Sequence, residues 1–100
     1  VIKSGTRLTS QVCETQVIVI KSTDAIDDLR CGGAPMVPLG SETGTGAVLD
    51  PAFAGGTAVG KRYVHDTGAE LLVTRAGRGT LDVNEIPLGL KEAKQLPSSD

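Results

Sequence analysis

In Q16-V-I-V-I-K21, four consecutive β-branched residues stand between polar neighbours. Branching at Cβ stiffens the side chain and suits a pleated, half-buried surface better than a helical turn. The segment therefore predicts a strand, as does E70-L-L-V-T-R75. Around these two the chain is cut into short pieces. T6-R-L-T-S-Q-V12 alternates and predicts a short strand. L29-R-C-G-G-A-P-M36 reads as a strand end, a tight glycine turn and a returning strand through Met36 and Val37. K61-R-Y-V64, T80-L-D-V83 and I86-P-L-G-L90 are further apolar pieces, with turn signals at D66-T-G68, A76-G-R-G79 and N84-E85. The expected fold class is all-β.

Residues 38–60 differ in character. They hold six glycines and only short, weakly apolar pieces at A47-V-L49 and P51-A-F-A54. A linker or long surface loop is expected over 39–59, with one helical turn near Pro51. The expected organisation is a β unit over 1–38, this glycine-rich segment, a second β unit over 60–90, and a tail over 91–100 with one helical turn at K91-E-A-K94. The two β units read alike. G5-T-R-L8, Q16-V-I-V-I-K21, Leu29 and A34-P-M-V37 are echoed by G60-K-R-Y63, E70-L-L-V-T-R75, Leu81 and I86-P-L-G89. Leu29 and Leu81 are 52 positions apart, as are Pro35 and Pro87. Two tandem hairpin units packed together would pool two thin apolar faces into one core. Only Phe53 and Tyr63 are aromatic, so that core must be aliphatic.

Composition narrows the function classes. The formal net charge is -2, and neither half carries the excess of Lys and Arg that a phosphate backbone demands. With two aromatics there is little to stack on bases, so no nucleic-acid partner is expected. No apolar run of membrane-spanning length occurs, so no membrane is expected, and the expected location is cytoplasmic. A chain of 100 residues buries a marginal core. A homo-oligomer or a larger protein subunit is the expected partner.

The cysteines carry the most specific pattern. C13-E-T-Q16 and C31-G-G-A-P-M36 resemble parts of the desulforedoxin-like domain, the small iron-binding module found alone and at the front of desulfoferrodoxin. That family has an early Cys-x-x-Cys-Gly knuckle and a later Cys-Cys-Gly-x-x-Met stretch. Cys13, Cys31, Gly33 and Met36 match it, with Leu29 at the preceding apolar position. The resemblance spans residues 5–38 and implies rubredoxin/desulforedoxin-like hairpin units. In the family it implies an iron held by four thiolates and used for electron transfer. Here Gln16 and Gly32 occupy two of the four ligand positions, so one chain cannot build a tetrathiolate centre. The second unit has no cysteine; Thr67 or a neighbour stands near the place of Cys13, and Val83 in the place of Cys31.

Three uses of the thiols follow. Cys13 and Cys31 are small buried hydrophobes when reduced, a disulfide when oxidised if their Cα atoms are within reach, or zinc or iron ligands. In the metal reading His65 joins Cys13 and Cys31 as a nitrogen ligand, with Asp66 or Glu14 giving oxygen. No acid, base and nucleophile set converges, so no catalytic residue is assigned. R75-A-G-R-G79 lacks the spacing and following lysine of a nucleotide loop and reads as a hairpin turn with two solvated arginines. The expected function is a non-catalytic accessory or interaction protein, a subunit or assembly partner of a larger enzyme, with no cofactor. The alternative is a small zinc- or iron-binding protein.

Overall fold

The computed structural model describes residues 2–40 and 48–90. The helical turn expected at 91–94 lies outside the described residues. Ten short strands run in chain order: β1 Arg7–Thr9, β2 Gln16–Lys21, β3 Leu29–Cys31, β4 Ala34–Pro35, β5 Val37–Pro38, β6 Arg62–Val64, β7 Glu70–Arg75, β8 Leu81–Val83, β9 Ile86–Pro87 and β10 Gly89–Leu90. Two 3-10 turns, Asp24–Asp28 and Pro51–Phe53, complete the regular structure among the described residues. The fold is all-β, with every strand pair antiparallel. No helix among the described residues is long and apolar enough to cross a membrane.

The strands form two sheets. The larger has the order β10-β6-β7-β2-β1-β5 and the smaller β4-β3-β8-β9. Both sheets are completed across the chain halves. β2 pairs with β7 at the centre of one, with Val17 opposite Val73 and Val19 opposite Leu71. β3 pairs with β8 at the centre of the other, with Cys31 opposite Leu81 and Leu29 opposite Val83. The β-branched run in β2 alternates as a strand should: Val17 and Val19 are buried while Ile18 and Ile20 are half-buried. A single aliphatic cluster joins Leu8, Val17, Val19, Leu71 and Val73 of the larger sheet to Leu29, Cys31, Leu81 and Val83 of the smaller. Ile26, from the first 3-10 turn, is fully buried in the same cluster.

Local chemistry sets the turns. Gly32 and Gly33 join β3 to β4 with φ of 68° and 90°, a left-handed pair that glycine adopts without a Cβ clash. Asn84 and Glu85 make the matching link from β8 to β9 with φ of 52° and 68°. The expected hairpin at A76-G-R-G79 is not one. β7 and β8 belong to different sheets, so this loop is a crossover. The described part of the glycine-rich segment lies on the body of the molecule. Asp50 N–H donates to Gly32 O, Thr57 N–H to Gly77 O, and Gly60 N–H to Val73 O. Pro51 begins the expected helical turn, capped by Asp50, whose Oδ1 accepts from Ala52 N–H.

Candidate functional site

Cys13 sits in the bend between β1 and β2, and Cys31 closes β3. The fold brings them together. Both are free thiols, with their Sγ atoms 3.7 Å apart. That is sulfur–sulfur contact without a bond, since a disulfide holds its sulfurs about 2.05 Å apart. The surroundings of the two sulfurs differ. Cys31 is wholly buried, whereas Cys13 is half-buried.

Polar groups gather on the Cys13 side. Ser10 is buried, and its Oγ accepts from the backbone N–H of Val12 and of Cys13, both at 3.1 Å, which fixes the bend. The Cys13 thiol donates to Thr15 Oγ1 at 3.2 Å. Thr15 is fully buried and shares a hydroxyl hydrogen bond with Thr57 at 3.0 Å. Thr57 Oγ1 in turn accepts from Gly77 N–H. From the crossover loop, Gly79 N–H donates to Cys13 Sγ at 3.3 Å.

These groups divide the two thiols electrostatically. Partial burial pushes the Cys13 thiol up, but hydrogen bonding with the Ser10 and Thr15 side chains and with the Thr15 and Gly79 backbone outweighs it. The net effect lowers it to about 7. Burial, reinforced by the neighbouring charge of Cys13, pushes the Cys31 thiol up to about 12. Cys13 is therefore the sulfur that carries the thiolate near neutrality.

The crossover loop can lie this close only because of its glycines. A Cβ on Gly77 would strike Thr15 Oγ1 and N and lie 3.0 Å from Cys13 Sγ. One on Gly79 would stand 2.9 Å from Cys31 Sγ and 2.8 Å from Gly32 N. Sequence reasoning found both cysteines but missed Ser10, Thr15, Thr57, Gly77 and Gly79. The paired glycines of A76-G-R-G79 were the only signal, and a turn explained them equally well.

His65 lies elsewhere. Its Nδ1 meets Thr67 Oγ1 at 2.9 Å and accepts from Thr67 N–H, and Thr67 Oγ1 meets Thr23 Oγ1 at 2.6 Å. The histidine thus organises the β6–β7 turn and ties it to the start of the first 3-10 turn. Among the described residues, no group of three or more His, Cys, Asp or Glu side chains is placed to hold a metal ion. Cys13 and Cys31 are gathered; His65, Asp66 and Glu14 are not gathered with them into such a group.

A second polar feature lies at the β3–β8 pairing. Asp82 is wholly buried opposite Arg30. Its Oδ2 accepts from Glu85 N–H at 3.0 Å, while Oδ1 has no hydrogen-bond partner. Burial raises its pKa against the Glu85 hydrogen bond and the Arg30 charge, which lower it. Its evident task is local: it holds the left-handed Asn84–Glu85 turn. Compared with known protein families, with curated proteins and with solved structures, the chain matches none.

Proposed function

We propose that the chain is a small accessory module that works by docking onto another protein, as a subunit or assembly partner of a larger enzyme. One observation carries this reading. Tyr63, Leu81, Leu88 and Leu90, with Ala58, line an open groove of about 530 Å³ beside the outer strand β10. Leu90 is 53% exposed. The other three outer strands, β4, β5 and β9, each contain a proline, which lacks the N–H that a further strand would need. β10 has none. An extended segment of a partner, laid along β10 with an apolar side chain in the groove, satisfies both features.

The strand order supports a second element of the proposal. Outward from β2–β7, each side reads middle, inner and outer strand in the same sequence order, and the smaller sheet does likewise outward from β3–β8. We take the chain to be two copies of one β unit that bury their faces against each other. The first copy keeps the desulforedoxin-like pattern of residues 5–38 as a scaffold.

Native mass measurement on the full chain tests the docking. The expected result is an assembly heavier than one chain, either with itself or with a larger chain from the native source. Leu90→Glu is expected to weaken that association by at least about tenfold, or ~1.4 kcal/mol. A lone monomer in a native preparation, or unchanged association in Leu90→Glu, overturns the reading.

A further inference from the structure

We propose that Cys13 and Cys31 form a thiol–disulfide exchange site, whose substrate is a low-molecular-weight disulfide and whose product is an intramolecular disulfide. The geometry supports each part. The sulfurs are 3.7 Å apart, so closure to about 2.05 Å requires a movement of about 1.7 Å. Cys13 stands in an irregular bend rather than a strand, and its side chain can make that movement while Cys31 stays anchored in β3. Access is one-sided. Cys13 is half-buried, whereas Cys31 is wholly buried with Gly79 packed close to its sulfur, so an incoming disulfide meets Cys13 first. The Gly79 N–H on Cys13 Sγ is a donor placed for a sulfur that carries negative charge as it attacks. With no further ligand side chain assembled there among the described residues, the pair's nearest chemistry is with each other.

The reaction balances in two steps. The Cys13 thiolate attacks one sulfur of the incoming disulfide, forming a mixed disulfide and breaking the original S–S bond. The first substrate thiol leaves with the proton that Cys13 gave up. Cys31 then loses its proton and attacks Cys13 Sγ, forming the Cys13–Cys31 bond. The second substrate thiol leaves with that proton. The protein dithiol is oxidised by two electrons, and the small disulfide is reduced to two thiols.

Incubation of the reduced full chain with oxidised glutathione, followed by intact mass measurement under native conditions, tests this. The expected wild-type product has lost two hydrogens, carries no glutathione and, once unfolded in urea, resists alkylation at both cysteines until reduced. Cys31→Ala is expected to retain glutathione on Cys13, and Cys13→Ser to take up none. Circular dichroism shows whether each variant has folded. If either variant fails to fold, the wild-type experiment decides alone. A wild type whose two thiols both still alkylate when it is unfolded after the incubation, or that ends as a stable glutathione adduct, overturns the proposal. So does purification with one tightly held zinc or iron per chain that blocks oxidation.

Discussion

Gly79 is glycine because its Cα–H already points at a sulfur and a backbone nitrogen. Gly79→Ala is expected to cost about 1–3 kcal/mol of stability, the usual effect of forcing one methyl into a filled site, read from urea denaturation. At Glu85 the argument runs the other way. Its φ of 68° places a side chain in the left-handed region. Glu85→Gly relieves that at a cost in unfolded-chain entropy, and a net gain of about 0.5–1 kcal/mol is expected in the same assay. The thiols give opposite pH responses. Cys13 is lowered to about 7 from an ordinary value of 9.0, so its contribution is present above pH 9 and is lost as pH falls through 7. Cys31 is raised to about 12, so between pH 9 and 12 the unfolded chain sheds a proton that the folded one keeps. Stability is therefore expected to fall with rising pH above 9, and Cys31→Ala to flatten that fall in denaturation midpoints. Iodoacetamide labelling of folded protein is expected at Cys13 alone, with a rate that rises through pH 7.

The strands here are too short to stand alone, and two pairings, β2 with β7 and β3 with β8, cross between the halves of the chain. β2 and β7 hold the larger sheet together, and Leu71 is fully buried between them and the core. Leu71→Ala is expected to cost about 2–5 kcal/mol, while Ile86→Ala, at 66% exposure on an outer strand, should stay within about 0.5 kcal/mol. The strands themselves were legible in the sequence, because V17-I-V-I20 and L71-L-V73 declare their backbone preference locally. Their partners were not. Nothing local in A76-G-R-G79 distinguishes a chain that doubles back from one that crosses to another sheet. That choice is fixed by where Leu81 and Val83 find Leu29 and Cys31, some 50 positions earlier. The first 3-10 turn was hidden for a similar reason: S22-T-D-A-I-D-D28 is polar but for Ala25 and Ile26, and only the finished core gives Ile26 a place to go.

For the molecule as a whole, the site was half legible. The cysteines stood out because the chain has only two, one of them directly ahead of a glycine pair. The Ser10–Thr15–Thr57 hydroxyls did not, because single polar residues gain meaning only when the 57–79 half folds over the 10–31 half. A bond between Cys13 and Cys31 would close a loop within one half. By the loop-entropy relation it should stabilise the oxidised protein by about 3 kcal/mol over the dithiol form, measured by denaturation with and without reductant.

The prolines of β4, β5 and β9 have a consequence for assembly. A flat ribbon grows into a fibre when both of its rims accept a neighbour. Here one rim of the larger sheet carries Pro38 and the other, at Gly89–Leu90, does not. Among the described residues, then, edge-to-edge addition to the larger sheet is open at one rim only, and an assembly built that way would stop at a pair instead of growing into a fibre.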